Sequence, residues 1–340
     1  NRGCIPTKTL LHASQVYRDA VDGSPAGVHA GDITFNLGEM FAYKRAVSEK
    51  LRGGIHALLK GAKVDLLEGT ARIDAPGRVT VAGPEGDTVY TADRILAATG
   101  SVPVRPPIPG LDLPGVMTSD ELLEGSDTLY ESLVIMGGGV IGVEFATFYA
   151  NLGCRVTLIE GMDRLLPTMD RELGQNLGQI LKKQGVEVLT SAMVRRVEQT
   201  PEGLTVHVDQ KGKEKAVSGE KVLCAIGRRP CWDGLFAPEL VPETRGRSLL
   251  VDEDFRTSIP GVYAIGDVNG LTLLAHAADH QGAYVARRIL GHEKGVYVPG
   301  PVPSCIYGST EIMRVGQTAK GLLAAGKSVS VSQVPLTLNP

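Results

Sequence analysis

The sequence predicts an α/β chain organised around two related parallel-sheet domains, and three observations predict it. Strand-like and helix-like segments alternate between Leu133 and Leu189. A glycine-rich turn, Gly137-Gly138-Gly139-Val140-Ile141-Gly142, joins an apolar strand to an apolar helix. One pattern occurs twice: Arg94-Ile95-Leu96-Ala97-Ala98-Thr99-Gly100-Ser101-Val102-Pro103 parallels Lys221-Val222-Leu223-Cys224-Ala225-Ile226-Gly227-Arg228-Arg229-Pro230. Alternating strand and helix calls for a parallel sheet, because parallel strands need a crossover between them.

The elements follow in order. Residues 4–20 read as a helix: Pro6 suits a first turn, and Leu10, Leu11 and Val16 form a partial apolar stripe. A polar, Gly-rich stretch leads to a second helix over 39–60, closed by Lys60 and Gly61, a cation and a C-cap glycine. Short strands are predicted at Val64–Leu67, at Val79–Val81 and from Val89 onward, with a Pro84-Glu85-Gly86-Asp87 turn between the last two. Arg94–Ala98 reads as a buried strand. Leu133–Met136 is a strand, Val143–Leu152 a helix closed by Gly153, and Val156–Ile159 a strand ended by Glu160. A further helix carries Leu173, Leu177, Ile180 and Leu181 before Gly185, and Val186–Leu189 is a strand.

Each copy of the repeat follows a hairpin pattern, Val79-Thr80-Val81 in one and Val206-His207-Val208 in the other. The second copy has the glycine turn upstream. The first has none within the chain, so its turn is expected before residue 1, within roughly 40 residues that a βαβ unit and a connection would occupy.

The bulk numbers exclude several classes. The chain has 340 residues, a formal net charge of -3 and 21% charged residues. No basic stripe points to nucleic acid. No apolar run approaches the roughly 20 residues that a membrane helix needs, and no signal peptide opens the chain. The cysteines, Cys4, Cys154, Cys224, Cys231 and Cys305, show no zinc spacing. All but Cys4 read as buried apolar thiols of a reducing cytoplasm.

Gly137–Gly142 has the spacing of a dinucleotide fingerprint: a tight turn, a close backbone approach to pyrophosphate, and a close helix–strand contact. It follows a strand, opens a helix, and has Glu160 at the end of the next strand, which is the context the motif requires. The helix N-terminus offers N–H groups to phosphates. Glu160 would accept from ribose hydroxyls and repel a 2′-phosphate, which favours NAD over NADP. Arg155 and Arg164 are the nearby cations that qualify this reading. Gly3-Cys4-Ile5-Pro6-Thr7-Lys8 places a thiol at a helix N-terminus, where the dipole favours negative charge, with an ammonium on the same face four residues on. Spacing alone leaves two readings, a redox centre and a structural Cys beside a surface Lys.

Asn1-Arg2-Gly3-Cys4-Ile5-Pro6-Thr7-Lys8 closely resembles the active-site helix of the pyridine nucleotide–disulfide oxidoreductases, and the resemblance runs to about residue 320. It implies two Rossmann-like dinucleotide-binding domains, for FAD and NAD, and the start of an α+β dimerisation domain. The expected division is 1–118 and 241–299 for FAD, 119–240 for NAD, and 300–340 for dimerisation.

The resemblance also implies roles for residues. Cys4 would be the flavin-facing cysteine of a redox disulfide, whose partner would precede Asn1. Lys8 would lie near the flavin, with Glu144, beside Val143 in the fingerprint helix, as its ion-pair partner. Asp267, after Tyr263-Ala264-Ile265-Gly266, would hold the ribityl chain. Leu273, Leu274, Ala275 and His276 would bring a helix N-terminus to the flavin, where its dipole would stabilise negative charge. Thr99, Gly100, Ser101 and Ala71 would touch FAD. Val194 and Gly227, with the glycine turn, would touch NAD.

Pro303-Ser304-Cys305-Ile306-Tyr307 resembles the strand that opens the dimerisation domain, but Gly308-Ser309-Thr310-Glu311 departs from the family's Thr-x-Pro-Glu. His292-Glu293 is not the family's acid–base pair, because it lies between a helix and a Gly/Pro linker; His292, His276, His280 and His12 read as surface or packing residues. The implied activity is oxidation of protein-bound dihydrolipoamide, with electrons passing through a disulfide and FAD to NAD. The implied partners are a second copy and the lipoyl domains of 2-oxoacid dehydrogenase or glycine cleavage complexes. Another disulfide or mercuric reductase, or a non-catalytic NAD-binding fragment, are the alternatives. Without the first cysteine, the FAD glycine turn and the acid–base histidine, the 340-residue chain alone is expected not to turn over dihydrolipoamide.

Overall fold

The computed structural model describes residues 2–23, 27–201 and 203–334. Asn1 of the motif and residues 335–340 of the last expected segment lie outside them. Helix α1 (Cys4–Asp22) packs on α2 (Leu37–Gly61). Leu10 and Leu11 are buried, whereas Val16 is 56% exposed and corrects the predicted stripe. Val16 follows Leu10 by six residues, which is about 240° round a helix and off the buried face. The Asn36 side chain caps α2 by accepting the Glu39 N–H (3.1 Å).

Val64–Leu67 forms no strand, contrary to the sequence reading: Val64, Leu66 and Leu67 are each about half exposed, and no described strand pairs with them. An apolar run becomes a strand only when a neighbour takes up its backbone groups. Strands β1 (Thr70–Ala75), β2 (Arg78–Gly83) and β3 (Gly86–Thr91) form an antiparallel sheet, with Ile73 of β1 opposite Val79. Strand β1 carries no strand pattern of its own, because only Ile73 in it is a buried apolar residue. Strand β4 (Ile95–Ala97) is shorter than predicted and not fully buried, since Leu96 is 40% exposed. Among the described residues it pairs on one side only, with Val262–Ala264. Strand β5 (Ser101–Pro103) follows.

Strand β6 (Val116–Thr118) leads to α3 (Ser119–Glu124), where the Glu121 carboxylate accepts the Thr118 N–H (2.6 Å). Then come β7 (Ser132–Met136), α4 (Val140–Asn151), β8 (Arg155–Ile159), α5 (Arg171–Lys183) and β9 (Glu187–Leu189). A three-stranded antiparallel sheet follows, β10 (Ala192–Thr200), β11 (Gly203–Gln210) and β12 (Lys213–Gly219), before β13 (Lys221–Cys224) and β14 (Arg228–Pro230). The main sheet is parallel throughout, in the order β6-β13-β7-β8-β9. From β7 the chain winds one way through β8 and β9, then returns to place β13 on the other side. The boundary between β7 and β13 is therefore a topological switch point, where ligands bind beyond the carboxyl ends of such strands. Gly137 and Gly227 follow those two ends. Helix α4 starts at Val140, one turn earlier than the predicted Val143, so the glycine turn runs directly into it.

The chain then forms β15 (Thr244–Arg245), β16 (Ser248–Leu249), β17 (Val262–Ala264), a 3-10 turn at Gly266–Asn269, and α6 (Ala275–Ile289). The hairpin β18 (Ser304–Ile306) and β19 (Ile312–Arg314) and the short α7 (Ala319–Ala324) close the described structure. The two repeat copies meet each other: β5 pairs antiparallel with β14. The exchange is reciprocal at the backbone, because Val104 N–H donates to Gly227 O (3.0 Å) and Cys231 N–H to Gly100 O (2.9 Å). Equivalent residues of the two copies thus bond across a local two-fold relationship. Cys154 and Cys224 are buried as expected, but Cys231 and Cys305 are only half-buried.

Candidate active site and cofactor sites

The glycine turn is close-packed on one side and open on the other. A Cβ on Gly142 would lie 1.8 Å from Gly137 O, and one on Gly138 would lie 2.5 Å from Leu165 Cδ2 and 3.0 Å from Glu160 Cβ. These glycines are needed for helix, strand and turn to approach. A Cβ on Gly139 would meet nothing within 4 Å. That open side faces away from the packed turn, and Gly139 brings no side chain to cap α4. Free N–H groups beside an open space fit a pyrophosphate.

Glu160, at the end of β8, is buried. Its carboxylate accepts the Gly138 N–H at Oε2 (2.7 Å) and the Met162 N–H at Oε1 (2.7 Å). A carboxylate offers about four acceptor sites, so lone pairs remain for ribose hydroxyls. The backbone partners hold the carboxylate at the glycine turn, a function that pattern reading did not anticipate. Of the two cations named near it, Arg155 stands at the opposite end of β8, and Arg164 is engaged with Asp163 (2.9 Å) and Pro167 O (2.9 Å).

Cys4 is exposed at the N-terminus of α1, where Gly3 supplies no side-chain cap. One turn further, Lys8 Nζ donates to both Glu144 oxygens at 2.7 Å. Glu144 belongs to α4, so this pair joins the helix of the thiol to the helix of the glycine turn. Burial pushes the Glu144 carboxyl above the usual carboxylate range, against the pull of the Lys8 charge and hydrogen bond and of the Tyr307 N–H. The Tyr307 N–H reaches Glu144 Oε1 at 3.2 Å, and Lys8 Nζ lies 5.2 Å from the centre of the Tyr307 ring. The sequence placed Tyr307 at the end of the Pro303–Tyr307 strand pattern but gave it no part in this site.

Asp267 sits in the turn after β17, and its Oδ2 accepts the Ser101 hydroxyl (2.5 Å). Asp267 Oδ1 keeps its acceptor capacity. Helix α6 begins at Ala275 with no side-chain cap at Leu274. His276 Nε2–H donates to Pro303 O (2.8 Å), a packing contact. Thr99 and Ala71 are exposed, and Gly100 and Ser101 are half-buried. Asp267, Ser101 and the start of α6 follow the carboxyl ends of the parallel β4–β17 pair. Val194 lies half-buried in β10 of the antiparallel sheet, and a Cβ on Gly227, just after β13, would meet nothing within 4 Å.

The sequence matches the pyridine nucleotide-disulphide oxidoreductase family over residues 1–282. The chain belongs to that family. It is 34% identical to a dihydrolipoyl dehydrogenase of Geobacillus stearothermophilus, over all of this chain and 72% of that protein. It is 39% identical to one of Acholeplasma laidlawii, over 87% of each. Among solved structures, the HOCl-induced flavoprotein disulfide reductase RclA from Escherichia coli superposes with a TM-score of 0.84 at 30% identity, covering all of this chain and 73% of the other. LpdA from Mycobacterium tuberculosis gives 0.85 at 27% identity, covering 95% of this chain and 71% of the other. The protein is an oxidoreductase of a family that uses FAD and NAD(H). No described helix is long and apolar enough to cross a membrane.

Proposed function

We propose that the protein is a dihydrolipoyl dehydrogenase. Dihydrolipoamide gives up two electrons and two protons to become the disulfide, and NAD+ takes up a hydride, leaving NADH and one proton. FAD supplies two-electron carriage between thiol and nicotinamide. The carrying observation is the Lys8–Glu144 pair, which brings the thiol helix and the nucleotide helix to one place. Cys4 presents sulfur at a helix N-terminus, and Lys8, held by Glu144, keeps a positive charge beside it. Asp267 and the α6 N-terminus at Leu273, Leu274, Ala275 and His276 orient the flavin, with Ala71, Thr99, Gly100 and Ser101 along its length. Gly137–Val143, Glu160, Val194 and Gly227 orient NAD.

The corresponding division gives 1–118 and 241–299 to FAD, 119–240 to NAD, and 300–340 to dimerisation. A homodimer working on lipoyl domains in the cytoplasm completes the reading. The identities to dihydrolipoyl dehydrogenases and the buried Glu160 favour it over NADPH-dependent disulfide reductases. The test is a paired assay of the full-length, FAD-loaded enzyme that carries this chain: dihydrolipoamide with NAD+ against glutathione disulfide with NADPH. Turnover with the first pair is expected, and preference for the second would overturn the reading.

A further inference from the structure

The contact between the two repeat copies contains one side chain that reaches from the nucleotide side to the flavin side. Arg228, next to Gly227, donates from Nε to Ser101 Oγ (2.9 Å) and from Nη2 to Ser101 O (2.6 Å). Ser101 Oγ in turn donates to Asp267 Oδ2 (2.5 Å). The third guanidinium nitrogen, Nη1, lies 3.8 Å from Asp120 Oδ1, a buried oxygen with no hydrogen-bond partner among the described residues. We propose that Arg228 is a positioning residue: by gripping Ser101 at two atoms, it aims the Ser101 hydroxyl at Asp267 and so sets the carboxylate that holds the flavin sugar chain.

The argument is one of donors and acceptors. A serine hydroxyl has one proton and can swing between partners. With the Arg228 Nε–H on its lone pair and Nη2–H on its own carbonyl, Ser101 is held at two points by a planar fork. Its proton then has one nearby acceptor, Asp267 Oδ2. Asp267 Oδ1 is left for a ligand hydroxyl. A charged donor on the serine oxygen also polarises its O–H and strengthens the next bond in the chain. Asp120 balances the guanidinium charge from the first turn of α3, 3.8 Å away. Because Arg228 adjoins Gly227, its side chain adds to the backbone bonds between the two copies a polar link from the β7–β13 switch point to Asp267.

This inference rests on the assignment of Asp267 to FAD, and its test separates the two. FAD is titrated into the full-length apoprotein by flavin fluorescence, with NAD titrated in parallel, for wild type, Arg228→Met, Arg228→Lys, Ser101→Ala and the Arg228→Met/Ser101→Ala double variant. Loss of a charge-assisted bond network is expected to weaken FAD binding about tenfold in Arg228→Met. The double variant should be no weaker than Ser101→Ala, since Arg228 acts through Ser101. Arg228→Lys should resemble Arg228→Met, because an ammonium lacks the fork. NAD affinity and the thermal midpoint should change little. A full-length wild-type protein that leaves FAD unbound would overturn the functional reading together with the proposal. Unchanged FAD affinity in Arg228→Met, additive losses in the double variant, or full rescue by Arg228→Lys would overturn the proposal alone. Should Arg228→Met not fold, Arg228→Lys with and without Ser101→Ala completes the same cycle.

Discussion

Lys8 Nζ stands 2.7 Å from both carboxylate oxygens of Glu144, and the two ends of this pair differ in solvent: the Glu144 side chain is 3% exposed and that of Lys8 28%. Burial therefore dominates and raises the Glu144 pKa above its ordinary 4.5, despite the Lys8 charge. A raised carboxyl pKa means that the folded state holds more protons than the unfolded chain in the window above 4.5. Stability from this group is then full below that window and declines as pH rises through the folded value. Glu144→Gln should gain thermal midpoint relative to wild type as pH goes from about 4.5 to 7. A difference that stays constant with pH would sink this account. Lys8→Met leaves the buried carboxylate unpaired and should cost up to about 3 kcal/mol, the low end for a broken buried pair because Lys8 is partly in water.

Glu160 governs cofactor choice in this reading. Its carboxylate is held between the N–H groups of Gly138 and Met162, so a 2′-phosphate would face a fixed negative charge. NAD should be preferred over NADP in binding. Glu160→Ala removes charged acceptors from the ribose and should lower NAD affinity about 10- to 100-fold while narrowing the gap to NADP. Calorimetry with both nucleotides is the check. An unchanged NAD/NADP ratio in Glu160→Ala would place discrimination elsewhere.

The glycines of the turn should separate into two kinds. Gly142→Ala puts a methyl 1.8 Å from a backbone oxygen that cannot move aside, so both stability and NAD binding should fall. Gly139→Ala puts its methyl in open space, at a φ of -76° that alanine adopts freely. It should keep the thermal midpoint yet weaken NAD, because the methyl projects into the open space assigned to the phosphates. Equal behaviour of the two variants in melting and titration would contradict the assignment of that space.

The βαβ unit was legible because its signals agree: a wholly buried strand, glycines at fixed offsets, and an acid at the next strand end. The repeat was legible as a pattern, but its reciprocal pairing was not, since Val104 N–H to Gly227 O is a backbone bond with no residue signature. Val64–Leu67 misled because local apolarity cannot report whether a neighbouring strand is there. Strand β1 escaped for the opposite reason: its stability comes from cross-strand bonds to β2 and from the Ile73 N–H on Leu235 O (2.7 Å), not from its own composition. In the site, Cys4, Lys8, Glu144 and Asp267 stood out by motif. Tyr307 did not, because it serves Glu144 through its backbone N–H and through the position of its ring.

The thiols should react in an order set by burial. Cys4 is exposed, whereas Cys154 is buried in the core and its thiol is pushed up to about 12, mainly by desolvation and next by the Glu220 charge. At pH 8 only about one Cys154 in 10⁴ is then thiolate, the form that attacks an alkylating reagent. Cys224 is likewise buried, and desolvation raises its pKa too. Brief treatment with iodoacetamide followed by peptide mass spectrometry should find Cys4 modified first and Cys154 and Cys224 untouched until the protein unfolds. Cys4→Ser should delete the fast phase. In FAD-loaded, two-electron-reduced protein it should also abolish the long-wavelength absorbance that a sulfur anion against the flavin ring produces. Early labelling of Cys154 would mean that the helix α4 core opens readily. Survival of the absorbance band in Cys4→Ser would remove Cys4 from its place beside the flavin, leaving the Lys8–Glu144 pair as a purely structural tie between α1 and α4.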